Sequence, residues 1–366
     1  MTWSRWLAAG VCSACLSCAD APWLPQPGKT SAAIVDGEPS GAEDDAVLLL
    51  RAVPDGENEV VCSASLVAPK LLLTARHCVS YFNDGLFSCT VRGEVIETTP
   101  DAGKLGLHLP ADSIEVYSAE TPRQEPIARG ADIISTLSPV ICVNDIAFVV
   151  LDRALDLPVV PMRIGRPAQL HEAVTLVGYG LDGEQSEIVY ETQPRRRKSG
   201  LEVAGVGPDL LEDGVTTVSP RSLILDGPSG CVGDSGGPLR ASETGAVLAV
   251  YSLQEGASCN APSVRHHLTH VPPFQALIEE AFAAAQSEPL LEPGSEPVAA
   301  GAGGAGPEPV PSGGAAGGVT VETPAEEPET AESSCCFGGA QRASSPLLLI
   351  GLLGLVRRRA TPAARA

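Results

Sequence analysis

Between residue 34 and about residue 271 the chain is a succession of short β-branched or leucine-rich runs, among them 46–50, 65–67, 146–151, 174–177 and 247–251. Gly, Pro and Asp turns separate them. Many short strands at this spacing predict an all-β barrel or sandwich and exclude βαβ units. One helix is predicted, at 273–286, with Ala and Leu inside and prolines at its start.

The 366 residues are uneven in composition, and the globular part is confined to 34–286. At the N-terminus, Arg5 precedes an apolar run at 6–16 and small residues follow. This is the architecture of a signal peptide, too short to span a bilayer. Two endings stay open: cleavage after Ala21, or a lipoprotein cut before Cys18 in Leu16-Ser17-Cys18. Residues 22–33 then form a short propeptide or spacer. Residues 287–334 are rich in Pro, Gly, Ala and Glu and hold no Lys or Arg, the composition of a disordered, self-repelling linker. The segment 335–366 carries Cys335-Cys336, an apolar run and Arg357-Arg358-Arg359. Its apolar residues 343–356 would rise only ~21 Å as a helix against a ~30 Å hydrocarbon core. They read as a sorting signal or a membrane anchor, with the arginines on the cytoplasmic side.

A net charge of -21 argues against a nucleic-acid partner, since no long cationic surface remains to neutralise phosphates. Of the eleven cysteines, six lie in the middle of the chain: Cys62, Cys78, Cys89, Cys142, Cys231 and Cys259. An even set of this kind reads as disulfides formed in an oxidising, exported compartment. No CxxC pair faces a second such pair or a closely spaced His pair, so no metal is expected. No residue pattern demands a cofactor either.

Gly233-Asp234-Ser235-Gly236-Gly237-Pro238 sets a serine between an acid and two glycines, a turn shaped for a nucleophile beside close-packed amides. A serine hydroxyl needs a base to take its proton and a buried carboxylate to fix that base's tautomer. His77, in Leu73-Thr74-Ala75-Arg76-His77-Cys78, and Asp145, at the mouth of an apolar strand, are the candidates. Their order along the chain differs from that of α/β-hydrolases, whose nucleophile motif is also different.

With these three motifs the chain resembles the trypsin-like (chymotrypsin-fold) serine proteases over roughly residues 34–286. The resemblance implies two six-stranded antiparallel β-barrels with the triad between them and a closing C-terminal helix. It implies hydrolysis of peptide bonds through an acyl-enzyme, with Ser235 as nucleophile, His77 as general base and acid, and Asp145 orienting His77. The Gly233 and Ser235 amides would form the oxyanion hole. Asp234 would accept a salt bridge from a new α-amino group at Ile34, in Ile34-Val35-Asp36-Gly37, with Asp36 in place of the commoner glycine. Gly178-Tyr179-Gly180 resembles the family's Gly-Trp-Gly turn. The resemblance pairs Cys62 with Cys78 and Cys231 with Cys259, leaving Cys89 and Cys142 as the third pair. Arg76 stands where the family carries a small alanine, and its long side chain is expected to reach solvent. The tail resembles the C-terminal sorting tails of exported myxobacterial proteins.

The same resemblance puts Ser229 at the pocket base, where a trypsin holds aspartate, so no preference for Lys or Arg is expected. Gly230 leaves the floor uncharged, and Ser252 to Gln254 would pair with the substrate backbone as an edge strand. Three readings of His266 stay open. It fills the pocket and favours small residues, it meets an acidic substrate side chain as a cation, or the local register is displaced. Ala33 before Ile34 points to activation by an enzyme preferring small residues, the protein itself included. Arg195-Arg196-Arg197-Lys198 reads as a solvated loop open to nicking. The expected protein is an exported endopeptidase, extracellular or held at the surface or outer membrane of a bacterium. Its partners are protein or peptide substrates, an activating protease and a tail-processing enzyme. The alternative is a catalytically inactive binding or adhesion protein on the same scaffold.

Overall fold

A computed structural model describes residues 34–52, 59–118, 125–181, 194–256 and 258–293. The expected signal peptide, propeptide and C-terminal tail, and the linker beyond 293, lie outside the described residues.

The N-terminal half closes into an antiparallel barrel of six strands, in the order Ala128–Ser135, Ala147–Leu151, Leu71–Thr74, Val60–Ala68, Val47–Ala52 and Ile114–Tyr117. Its sequence runs are short and apolar because the strands are covered on both faces. Leu71, Leu72 and Leu73 are all wholly buried, each worth roughly 1.5–3 kcal/mol of transfer free energy. One face meets the barrel interior. The other lies under the C-terminal helix Gln275–Ala284, where Phe282 meets Phe148 edge-on at 6.4 Å between ring centroids.

The C-terminal half is an antiparallel sheet in the order Glu38–Pro39, Arg196–Glu202, Ala173–Gly178, Pro238–Ala241, Val247–Glu255, Arg265–His270, Ser222–Asp226 and Gly205–Val206. Its six inner strands match the number expected of a second barrel. The ladder stays open because the two end strands have only two residues each and pair on one side. A separate apolar cluster of Val47, Leu49, Val61, Tyr117, Val177 and Tyr179 joins the halves.

The helix is preceded by a tight turn, Pro272–Phe274, so the prolines start it as expected. The folded unit does not end at Gln286, however. Glu292 is wholly buried, and its carboxylate meets the buried Arg163 guanidinium through both Nε and Nη2. The linker therefore begins later than composition suggests, because one buried ion pair ties down seven otherwise loop-like residues.

Candidate active site

Strand Leu71–Thr74 runs through Ala75 into the turn Arg76–Cys78, which is held from behind by the Cys62–Cys78 disulfide. His77 rides on this turn. Its backbone N–H donates to Asp145 Oδ1 at 2.8 Å, and its Nδ1 lies 2.7 Å from Asp145 Oδ2. A carboxylate accepts only, so the ring proton sits on Nδ1 and Nε2 is left as an acceptor.

Asp145 follows the short helix Ile141–Asn144, which the Cys89–Cys142 disulfide ties to strand Phe87–Cys89. It is fully buried, and the Ser252 hydroxyl also donates to its Oδ2. Burial alone would push this carboxyl up. The His77 ring and backbone and the Ser252 hydroxyl outweigh it and hold the group below its ordinary value.

The Ser235 turn is fastened to the segment entering His77. The Ser63 N–H donates to the Ser235 carbonyl at 2.7 Å, and the Thr74 hydroxyl donates to the Ser63 carbonyl at 2.9 Å. Gly236, at φ +81°, leaves no room for a side chain: a Cβ there would fall 2.1 Å from Thr74 Oγ1 and 2.2 Å from the Ser63 carbonyl oxygen. Ser63 also donates its hydroxyl to the Gly233 carbonyl at 3.0 Å and receives the Tyr179 N–H at 3.0 Å. Among the described residues the N–H groups of Gly233 and Ser235 have no hydrogen-bond partner. The Ser235 hydroxyl is not hydrogen-bonded to His77 in this conformation. Such bonds often tighten only when substrate is present.

The sequence shows Thr74 only as part of the His77 motif and gives Ser63 no role, because nothing in a strand residue's identity reveals that it braces a turn 170 positions away.

Asp234 is wholly buried behind this turn. It accepts the Gly180 N–H at 2.8 Å and the Cys231 N–H at 2.9 Å, and the Ile34 backbone reaches it too. Gly178 and Gly180 are glycines because a Cβ on either would fall within 2.4 Å of the Asp234 carboxylate. Desolvation pushes the Asp234 carboxyl up to about 7, with the three backbone groups pulling the other way. Ile34 is itself fully buried, and Val35 donates to the Ser229 carbonyl at 2.9 Å.

In the unprocessed chain Ile34 offers an amide and no charge. The folded state then holds a proton on Asp234 up to about pH 7, whereas the unfolded chain releases it near the ordinary carboxylate value. Stability must therefore fall as pH rises through this window, by on the order of 4 kcal/mol at most. Urea denaturation of full-length Ser235→Ala protein at pH 5 and pH 8 should show about 3 kcal/mol of this loss, the part that falls above pH 5. The loss should shrink when Asp234→Asn is added.

The Cys231–Cys259 disulfide forms as expected, as do the other two pairs. Cys62, His77 and Cys78 form a close group, but the two sulfurs are bonded to each other and offer no thiolate to a metal. Ser229 is fully buried, with its hydroxyl unpartnered among the described residues. Among the described residues, the part of strand Val247–Glu255 beyond Tyr251 pairs with Arg265–His270 and with no strand on its other side. The side chain of Ser252 turns inward to Asp145, adding a duty beyond the edge.

Three expectations need correction. His266 is fully buried with Nδ1 2.7 Å from the Tyr251 hydroxyl, and burial lowers its pKa to about 3 despite the opposing Gly227 backbone. A neutral ring of this kind cannot serve as a cation for an acidic substrate. Arg76 does not reach solvent: it is buried and donates to the carbonyls of Ser138, ahead of the helix that leads to Asp145, and of Gly106 in strand Leu105–His108. The basic run is not a solvated loop. Arg195 is 1 % exposed and bonds Ser40, Asp45 and two carbonyls, while Lys198 joins the Val35 and Pro228 carbonyls. Together with Arg197, paired with Glu43, these side chains clamp the segment after Ile34 to the sheet.

A family model, Trypsin, matches residues 50–278 of the chain. The chain belongs to the trypsin family. Solved structures similar to this trypsin-family chain include HL collagenase, 18% identical with a TM-score of 0.46, covering 68% of this chain and 99% of that one. A scabies mite inactivated protease paralogue, S-I1, is 16% identical with a TM-score of 0.48 and the same coverage. HBP is 15% identical with a TM-score of 0.44, covering 70% of this chain and 100% of that one. No curated protein matches it. Membership gives the trypsin-family domain the character of a serine protease scaffold acting on protein or peptide substrates. Its disulfides are typical of extracellular proteins of this kind.

Proposed function

We propose that this chain is an exported serine endopeptidase, with Ser235 as nucleophile, His77 as general base and then acid, and Asp145 orienting His77. The observation that carries the reading is the His77–Asp145 pair. Two hydrogen bonds fix the ring so that Nε2 faces away from the carboxylate as an acceptor, on a segment packed against the Ser235 turn. Ser235 Oγ attacks the peptide carbonyl as its proton passes to His77 Nε2, and the free Gly233 and Ser235 N–H groups receive the developing oxyanion. His77 then protonates the leaving amine, and water, activated by the same ring, releases the acyl group.

Cleavage before Ile34 would supply an α-ammonium to the buried Asp234 carboxylate, and Ala33 on the other side of that bond suits an activator with a taste for small residues. An uncharged Ser229 and a neutral His266 argue for small or apolar residues before the scissile bond and against Lys, Arg, Asp or Glu. The N-terminal residues 1–21 act as the export signal, and the tail at 335–366 holds the enzyme at a membrane until it is removed.

A fluorophosphonate probe should label processed wild-type protein and leave Ser235→Ala unlabelled. Processed, folded wild-type protein that takes no label would sink the hydrolase and favour a binding protein on the protease scaffold.

A further inference from the structure

Strand Val247–Glu255 passes directly behind the nucleophile turn. The Gly236 N–H donates to the Tyr251 carbonyl at 2.8 Å, and the Tyr251 N–H donates to the Gly237 carbonyl at 2.9 Å. The strand's register with Arg265–His270 shifts between Tyr251 and Leu253, so simple alternation does not hold at Ser252. Ser252 turns to Asp145, while Tyr251 turns toward Gly230. There its ring lies on Gly230, where a Cβ would fall 2.3 Å from Tyr251 Cε2 and 2.7 Å from Cζ. Gly230 stands between the buried Ser229, six residues upstream of the nucleophile, and the Cys231–Cys259 crosslink.

The ring is also held at its far end. The Tyr251 hydroxyl lies 2.7 Å from His266 Nδ1, and the two rings stand 5.5 Å apart at 40°. Both residues are almost wholly inaccessible, Tyr251 at 2 % and His266 at 0 %. A phenol fixed by main-chain bonds at one end and an imidazole at the other has no free rotamer into which to withdraw.

We propose that Tyr251, pinned by His266, plugs the cavity beside Ser235 that would take the substrate's acyl-side residue, and restricts that residue to glycine or alanine. This rests on the endopeptidase reading, which it deepens by naming the substrate class. The plug is steric, so it is the ring and not the hydroxyl that excludes larger side chains.

Processed wild-type, Tyr251→Phe and Tyr251→Ala proteins, normalised by fluorophosphonate-labelled sites, are compared on peptides with Ala, Leu or Phe before the scissile bond. Wild type and Tyr251→Phe should favour Ala over Leu by about 100-fold in kcat/KM, and Tyr251→Ala should lower that ratio by about tenfold or more. Cleavage after Leu or Phe as readily as Ala by wild type overturns the plug, as does an unchanged ratio in labelled Tyr251→Ala. Loss of the preference in Tyr251→Phe also overturns it. Benzene binding followed by NMR needs no turnover: folded Tyr251→Ala, or the milder Tyr251→Val, should take up benzene that wild type excludes. Uptake by wild type, or exclusion by the folded variants, overturns the plug even if no label is incorporated. The expected benzene pattern without labelling would instead support the plug and overturn the hydrolase.

Discussion

Asp145→Asn should lower kcat on a peptide substrate by about 10⁴-fold with little change in KM. The carboxylate accepts three donors at once: the His77 backbone N–H, the His77 ring N–H and the Ser252 hydroxyl. An asparagine keeps the shape but has one oxygen, and its amide group is a donor. With that donor facing Nδ1, the ring moves its proton to Nε2, and the acceptor required by Ser235 disappears. Asp145 is fully buried and does not face substrate, which is why KM should move little. Ser252→Ala removes one donor and leaves the tautomer intact, so its loss should be far smaller, roughly tenfold. Active-site-titrated kinetics on both variants check this. A loss below tenfold in Asp145→Asn would remove the residue from the mechanism.

Gly236→Ala should destabilise the fold by more than about 3 kcal/mol and abolish fluorophosphonate labelling. The new methyl would collide with Thr74 Oγ1 and with the Ser63 carbonyl oxygen. The carbonyl cannot step aside, because it accepts the Thr74 hydroxyl while its own residue's N–H holds the Ser235 carbonyl. The backbone at φ +81° adds strain for any side chain. Gly245 is the matched control: it has φ +71° but no atom within 4 Å of a would-be Cβ. Gly245→Ala should therefore cost only the conformational strain, about 1–2 kcal/mol. Urea midpoints for the two variants separate steric contact from backbone strain. Equal losses would mean that the close packing around Gly236 contributes nothing.

Much of the fold was legible because β-barrels announce themselves locally. Residues 46–50 and 146–151 are apolar runs of strand length, and each lies in the closed barrel where such runs belong. The single long helix, with its prolines at the start, follows from equally local rules. The limits of the folded unit were less legible. Glu292 looks like part of an acidic linker until Arg163, 129 positions earlier, comes into contact with it.

At the site, residue types alone identified the His77, Asp145 and Ser235 motifs, and the two glycines around Asp234 were visible as a Gly-Tyr-Gly turn. Their environments were not. Arg76 and Arg195 carry charges that local reasoning sends to solvent, yet backbone carbonyls from distant segments accept their hydrogen bonds. His266 stands in the sequence as a possible cation. Only burial beside Tyr251 makes it neutral.

The sequence by itself determined the strand-rich class, the cysteine set and the identity of the reactive motifs, because each depends on residue type and short-range spacing. The tertiary structure alone decided which groups brace those motifs and what charge they carry. Burial and hydrogen-bond satisfaction depend on contacts between segments more than a hundred residues apart, as Ser63 under Gly233 and Lys198 at the Val35 carbonyl demonstrate.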